Sequence, residues 1–346
     1  MAAGAYTQVG QSNTYIKDHA ATGKMIVGYS RNPKEFALNR YVQIKKVNKD
    51  RGYYLQINQF NAARIVASNL AEYVWPDGQP RPVLNNNGIE FRFVDYETVR
   101  RNFGHPTGKK ASDQADFDLL GLQEDELAFK AMLSRSVQAH SVLATVGNWD
   151  ANHRGDVASI GGGQWSAALS TTPFIQRSIN VGANRILLDT VGKVKKKDLV
   201  LTFNPNTANQ IAQTQELRDH IKQSPDALAQ VRGAGQFSQW GLPDMLYGVN
   251  IMVDDTVRVT SPRGSTNVTT EFVCPDAVAY MTSRVGGLVA PRGGPTFSTL
   301  TCFAYEEMTV EKKVDTDDRL TNTNVVDDVV VVMTAPASAY AFLNLY

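Results

Sequence analysis

The chain is expected to fold as an α+β protein, and three stretches carry that expectation. From Ala111 to Asn148 apolar residues recur at helical spacing, at Leu119, Leu122, Leu127, Met132 or Leu133, Val137 and Val142, with no proline among them. Tyr53, Leu55 and Ile57 alternate with Tyr54, Gln56 and Asn58, the period of a strand with one face covered. From Asp198 to Lys222 the pattern is strand, turn, helix and helix, and from Gly248 onward it is mostly β.

Taken in order, residues 1–36 are polar, broken by Gly4, Gly10, Gly23 and Gly28, and lack a sustained apolar period. Such a segment cannot bury a core alone, so it is expected either to be disordered or to lie on something else, another subunit included. Tyr41, Val42, Ile44 and Val47 start a strand, Asp50-Arg51-Gly52 turns it, and Tyr53 to Ile57 forms the next. Its partner is expected far downstream, at Ile89 to Tyr96. Between them Pro76, Asp77, Gly78, Pro80, Pro82 and Asn85 to Gly88 break any regular element. Loops longer than about 12–15 residues are usually functional. A two-stranded ribbon is marginal in water without support. The loop is therefore expected to rest on a neighbour, with Tyr73 and Trp75 as interface anchors and Phe91 and Phe93 beside them, the alternative being that they fold back onto the chain's own core.

Phe103 to Gly108 reads as a breaker cluster leading into the long helix. That helix has Ser112 or Asp113 as N-cap, Asp116 and Asp118 near its positive end, and Gly147 as C-cap. At 1.5 Å per residue it would be a spine of roughly 45 Å. A glycine-rich connection follows, through Gly155 and Gly161 to Gly163. Thr172-Pro173 then starts a second amphipathic helix, with Phe174, Ile175, Ile179, Ala183, Ile186 and Leu187 as its stripe. Lys193, Lys195, Lys196 and Lys197 form a basic run before the strand Asp198 to Phe203. Asn204-Pro205 caps the next helix, and another runs from Glu216 to about Lys222. Gly248 to Asp255 is a strand, Val257 and Val259 add an edge, and Thr269 to Met281 and Phe297 to Val310 are β. Tyr305 to Val314 carries alternating charge, residues 315–324 form a polar turn, and Val325 to Met333 and Ala339 to Tyr346 close the chain as strands.

Composition narrows the function. With 42% hydrophobic residues the chain can bury a core, and 346 residues suggest about two domains. A net charge of +1 argues against a protein built to grip nucleic acid, which usually shows a basic excess. Two cysteines, Cys274 and Cys302, make neither a disulfide framework nor a zinc spacing, so a reducing compartment is expected. The first residues lack an apolar signal region, and no run of about eighteen apolar residues could span a membrane.

Chemistry-bearing motifs are absent: there is no nucleophile elbow, Walker loop, H-E-x-x-H or paired C-x-x-C. His19, His105, His140, His153 and His220 are scattered, with Asp150 and His153 the nearest approach to a ligand pair. Asp315, Asp317 and Asp318 resemble half of a calcium loop but lack its glycine and distal glutamate. No catalytic, cofactor-binding or metal-binding residue is assigned. The run from Lys195 to Lys197 is more often a solvated turn than a DNA contact.

The order of parts, and particular stretches within it, resemble a known family. Trp165-Ser166 followed by Thr172-Pro173 and an amphipathic helix is one. Asp198 to Thr207, then Leu217 to Ile221, is another, and Tyr247-Gly248-Val249 leading to Val253-Asp254-Asp255 is a third. Together they resemble a tailed-bacteriophage major capsid protein of the Hong Kong 97 fold. The resemblance implies a division into an N-terminal arm (1–40), an extended β-loop with flanking strands (41–104), a peripheral domain with the spine helix (105–197), an axial domain (198–304) and C-terminal strands returning to both (305–346). It implies a non-enzymatic shell subunit, assembled in a bacterial host cytoplasm into the virion. Hexamers and pentamers on an icosahedron would enclose double-stranded DNA, which Lys193 and Lys195 to Lys197 would touch weakly from the lumen wall. Scaffolding, portal and decoration proteins are implied partners; cofactors and membranes are not. The sequence lacks the long, charged, helical N-terminal scaffolding segment of some members, which points to a separate scaffold or none. Two alternatives remain open at this level. One is an encapsulin-like compartment with protein cargo. The other is an α/β hydrolase or ligase with a β-rich lid, which would require the clustered catalysts that were not found.

Overall fold

A computed structural model describes residues 35–57, 74–80, 91–115, 118–166, 172–223, 240–262, 264–285, 297–315 and 319–346. The class is α+β. A short helix, α1 (Leu38–Tyr41), leads into β1 (Val42–Lys46). Then β2 (Arg51–Ile57) and β3 (Phe91–Glu97) pair antiparallel as a separate ribbon, with Tyr53 opposite Asp95 and Leu55 opposite Phe93. The ribbon expected from period two is therefore present, and residues 58–73 and 81–90 of its loop lie outside the described residues.

The chain continues as β4 (Val99–Gly108), which corrects one expectation. Phe103 to Gly108 is not a break but the end of a strand, paired residue for residue with Val325 to Leu320. Glycine and proline are poor strand formers, but β4 lies at a sheet edge, where a missing amide costs no interior ladder bond. The spine helix also starts later than expected. Lys109–Asp113 forms a separate turn, α2, and the spine α3 is Leu119–Ala144, 26 residues or about 39 Å. Its N-cap is Asp118, whose Oδ1 accepts the Gly121 amide at 2.9 Å; Ser112 and Asp113 have no capping role on the spine. Its C-cap is Thr145, and Gly147 sits beyond it in a 3-10 turn.

After β5 (Arg154–Asp156) and α4 (Val157–Gly161), α5 (Phe174–Asp189) is capped at Pro173, one position earlier than predicted for that proline. The block β6 (Leu199–Phe203), α6 (Pro205–Ala212) and α7 (Gln215–Gln223) follows the reading closely. The Asn204 side chain accepts the Thr207 amide at 2.8 Å, as a cap before Pro205 should. A hairpin joins β7 (Met245–Leu246) to β8 (Val249–Val253). Its two loop residues, Tyr247 at φ 50° and Gly248 at φ 85°, take the doubly left-handed turn that matches strand twist.

The rest is β: β9 (Val257–Val259) with β10 (Thr270–Phe272), β11 (Ala279–Val285), β12 (Phe297–Ser298), β13 (Leu300–Asp315), β14 (Leu320–Met333) and β15 (Tyr340–Leu343). The polar turn expected over residues 315–324 is shorter than that, because Leu320 to Asn324 already pair on both sides in β14.

Two sheets organise these strands. One has the order β1-β13-β14-β4, and the spine packs against it. The other runs β5-β15-β11-β6-β8-β7 with β12 on β11. Each has its own apolar core. In the second, α5 contributes Ile175, Ile179 and Ile186 against Leu199, Leu201 and Phe203 of β6 and Phe342 of β15. Gly182 lets that helix approach: a Cβ there would lie 2.8 Å from the Phe342 ring. In the first, Met132 and Leu143 of the spine pack with Tyr41, Cys302, Val329 and Val331. Thr299 joins the sheets. Its amide donates to Ser283 O at 2.8 Å, its Oγ1 accepts the Ser283 amide at 2.9 Å, and its carbonyl accepts the Thr334 amide at 2.9 Å.

Candidate assembly surfaces

The ribbon shows most directly what this chain leaves uncovered. Strand alternation puts Tyr54 and Tyr96 on one face and Tyr53 and Phe93 on the other. The first face is anchored: Tyr96 stacks on Phe303 at 4.1 Å and 7°, and Tyr54 stacks on the same ring at 5.8 Å. Gly52 fits beneath Tyr96, where a Cβ would lie within 3.0 Å of the hydroxyl oxygen and two ring carbons. The other face is bare, with Tyr53 75% and Phe93 70% exposed. Burying an aromatic of this size is worth roughly 1.5–3 kcal/mol, and this face leaves two of them in water.

The residues expected to anchor a neighbour fare differently. Phe93 and Trp75 are exposed, and the Trp75 indole N–H donates to Gln79 O at 2.5 Å within its own turn. Phe91 lies in β3 with its backbone opposite Ile57, and Tyr73 lies outside the described residues. Tyr53, the most exposed aromatic among those described, was not singled out from sequence, although its place in the same alternation as Leu55 and Ile57 was the available signal.

Behind these surfaces lie buried polar groups that the sequence did not connect. Arg135 of the spine is fully buried and gives Asp327 two bonds, Nε to Oδ2 at 2.9 Å and Nη2 to Oδ1 at 2.6 Å. Its Nη1 reaches Glu307 at 3.3 Å. Burial alone would weaken the guanidinium's hold on its proton; the Asp327 hydrogen bonds and charge more than reverse this, so Arg135 stays charged. One turn on, His140 Nε2 meets Asp254 Oδ2 at 2.8 Å, and the Tyr41 hydroxyl donates to the same oxygen at 3.1 Å. Burial would raise the Asp254 carboxyl, but His140 and Thr256 outweigh it and hold the pKa below the ordinary value. Burial first, and then Asp254, push the Tyr41 phenol up. This knot ties α1, the spine and the end of β8 together. All three groups are buried and bond one another through His140 Nε2, while His140 Nδ1 has no hydrogen-bond partner among the described residues.

Asp150 and His153, the nearest approach to a ligand pair in the sequence, are engaged separately. Asp150 caps its own turn through the Asn152 amide, while His153 bonds Ala339 O at 2.7 Å and Asp189 at 2.6 Å. Among the described residues no group of three His, Cys, Asp or Glu is placed to hold a metal ion. Asp317 and Asp318, of the half calcium loop, lie outside the described residues. A cleft of about 760 Å³ opens between the end of the spine and the β9–β10 hairpin, lined by His140, Ser141, Asn206, Phe272 and Asp276 among others. Of the basic run, Lys193, Lys195 and Lys197 are exposed; Lys196 is half-buried, its Nζ 2.6 Å from Asn180 Oδ1.

No protein-family model and no curated protein sequence matches the chain. Solved structures do match it, over most of its length. A phage-related protein from Bordetella bronchiseptica RB50 superposes with a TM-score of 0.60 at 12% identity, over 90% of this chain and 92% of that one. The fold is that of phage capsid subunits. The capsid of a native GTA particle aligns with a TM-score of 0.57 at 11% identity, over 94% of both chains. The mature capsid of bacteriophage PhiM1 aligns at 0.56 and 11%, over 95% of this chain and 92% of that one. The α+β class and the resemblance read from sequence agree with this capsid-type fold. No helix among the described residues is long and apolar enough to cross a membrane.

Proposed function

We propose that this chain is a major capsid subunit of a tailed phage. It would self-assemble into hexamers and pentamers of an icosahedral shell around packaged double-stranded DNA, within a virion assembled in the bacterial host cytoplasm. The observation that carries the reading is a likeness of fold spanning nine-tenths or more of both chains, with capsids among the matches. A subunit that cannot cover its own ribbon supports it, since assembly and burial then become one event. The domain division follows the same reading: arm 1–40, β-loop 41–104, peripheral domain 105–197, axial domain 198–304 and returning strands 305–346. Residues 154–189 lend β5 and α5 to the axial core. Tyr73, Trp75, Phe91 and Phe93 are assigned to contacts between subunits, and Tyr53 joins them. Lys193 and Lys195 to Lys197 are assigned to the lumen wall. The role is structural rather than enzymatic, with scaffolding, portal and decoration proteins as partners.

Sedimentation and electron microscopy of the purified protein test this. Capsomers or particles of megadalton scale are expected; a single species near 38.0 kDa across a wide concentration range would end the shell reading. Duplex DNA in the particles separates a phage head from a protein-cargo compartment. Binding to free duplex should be weak and lost with rising salt. Nanomolar affinity for one sequence at physiological salt would contradict it.

A further inference from the structure

Strand β13 is longer than the strand on its outer side. β1 pairs with it only from Leu300 to Ala304, and the last bond there runs from the Val47 amide to Ala304 O at 2.9 Å. From Glu306 to Asp315, β13 pairs with β14 alone among the described residues. Irregularities between Ala304 and Thr309, with Met308 at φ 41°, separate the covered part from the free part. Beyond them the register is regular from Thr309 to Asp315. Alternate residues of this stretch turn an amide and a carbonyl outward with no strand to receive them. Residues 309–314 are all exposed, whereas Val325 and Thr323, opposite Val310 and Lys312, are buried. Val310, Lys312 and Val314 share the face toward the spine, because Val325 packs with Leu127 and Ala131 and Lys312 forms an ion pair with Glu124. On that face Val310 is 46% exposed and Val314 67%. Glu311 and Lys313 lie on the other face, and neither has an ion-pair partner among the described residues.

We propose that this edge pairs with the same edge of a second copy, antiparallel, about a two-fold axis at Lys312. The stretch Val310-Glu311-Lys312-Lys313-Val314 is complementary to itself in that register. Glu311 of each copy lies opposite Lys313 of the other, and Val310 of each lies opposite Val314. Lys312 meets its own counterpart, but each ammonium is already held by the Glu124 of its own spine. Facing residues of an antiparallel pair share a face of the sheet, so the axis falls on a residue and not between two. The neighbouring registers therefore centre on Glu311 or on Lys313. The first sets Glu311 against Glu311 and Val310 against Lys312; the second sets Lys313 against Lys313 and Lys312 against Val314. Charges on an edge usually discourage pairing. Here they disfavour both neighbouring registers and favour one, and the partner whose charges answer them is the same strand. The inference deepens the shell reading, because it names one edge on which self-assembling subunits meet in pairs.

The test uses the full chain carrying Lys312→Cys. In this register the two new thiols face each other, with Cβ atoms about 4.5–5.5 Å apart, within reach of a disulfide after a small adjustment. Cys274 and Cys302 are buried and stay out of the reaction. Mild oxidation with oxidised glutathione should give a disulfide-linked dimer on a non-reducing gel. In that background Glu311→Lys alone, or Lys313→Glu alone, sets like charges opposite each other twice. Either should slow the cross-linking about fivefold or more. Both exchanges together restore opposite charges and should restore the rate. The circular dichroism spectrum should be unchanged throughout, because the exchanged side chains are exposed. Absence of the dimer would overturn the proposal. So would cross-linking that ignores the single exchanges, or that the double exchange fails to restore. Slow hydrogen exchange at every amide from 310 to 315, in the chain kept below its assembly concentration, would show the edge already covered and overturn it too. Sedimentation and electron microscopy of the unsubstituted chain judge the shell reading separately. Particles without the cross-link sink this inference alone, and a cross-linked dimer whose parent chain forms no particles sinks the shell reading alone.

Discussion

Removing the charge of Asp327 should test the structural logic of the spine. In Asp327→Asn, Arg135 keeps its position and its burial but loses a bidentate partner, at 2.9 and 2.6 Å. The amide oxygen can still accept the Met308 amide, now 3.3 Å from Oδ1, so the change is one of charge and not of shape. Glu307, at 3.3 Å and about one-quarter exposed, is then the only carboxylate left to Arg135 among the described residues. Breaking a buried pair by removing one partner costs about 3–5 kcal/mol, because an uncompensated charge remains. With an unfolding entropy of about 2.1 cal/mol/K per residue, a chain of this length loses about 4–7 °C in melting temperature. The assay is scanning fluorimetry at one fixed protein concentration, since association alters the apparent stability. Arg135→Met should cost a similar amount. The double variant Arg135→Met, Asp327→Asn should cost clearly less than the two single changes together, because no buried charge is stranded. Single changes that each shift the melt by under about 1 °C would refute the reasoning, as would strict additivity in the double variant.

Three further outcomes are expected. Replacing residues 72–86 by a short Gly-Ser turn should leave the circular dichroism spectrum intact, because both cores lie elsewhere, but abolish particles or leave them fragile by electron microscopy; unfolding of the subunit would show that the loop belongs to a core. Asp254 has a depressed pKa, so its stabilisation is present above about pH 4 and is lost as pH falls through the lower folded value. Asp254→Asn should accordingly flatten that acid limb in urea midpoints measured against pH, and a limb of unchanged slope would remove Asp254 from the account. Burial pushes the Cys302 thiol up to about 12 and raises Cys274 as well, so a maleimide at neutral pH should label neither until the chain unfolds. Rapid labelling of the native protein, followed by mass spectrometry, would contradict their placement.

Local chemistry was readable along the chain wherever neighbours in sequence are neighbours in space. The β2 alternation, the Asn204 cap before Pro205 and the apolar stripe of α5 as far as Ile186 act over four residues or fewer, so their side chains declare the element directly. Gly248, expected to open a strand, lies instead in the turn before it, and Leu187 of the expected stripe is exposed. Long-range partners had to come from the fold. Phe103 to Gly108 becomes a strand because β14, more than two hundred residues later, supplies its hydrogen bonds, and that gain overrides the poor propensity of glycine and proline at an edge. Arg135 and Asp327 stand 192 residues apart, and Tyr41 and Asp254 stand 213 apart. Nothing in the spacing of either pair announces that both members will be dry. Burial follows from which helix face meets which sheet, and that geometry alone turns an ordinary arginine on the spine into a charge that must be matched.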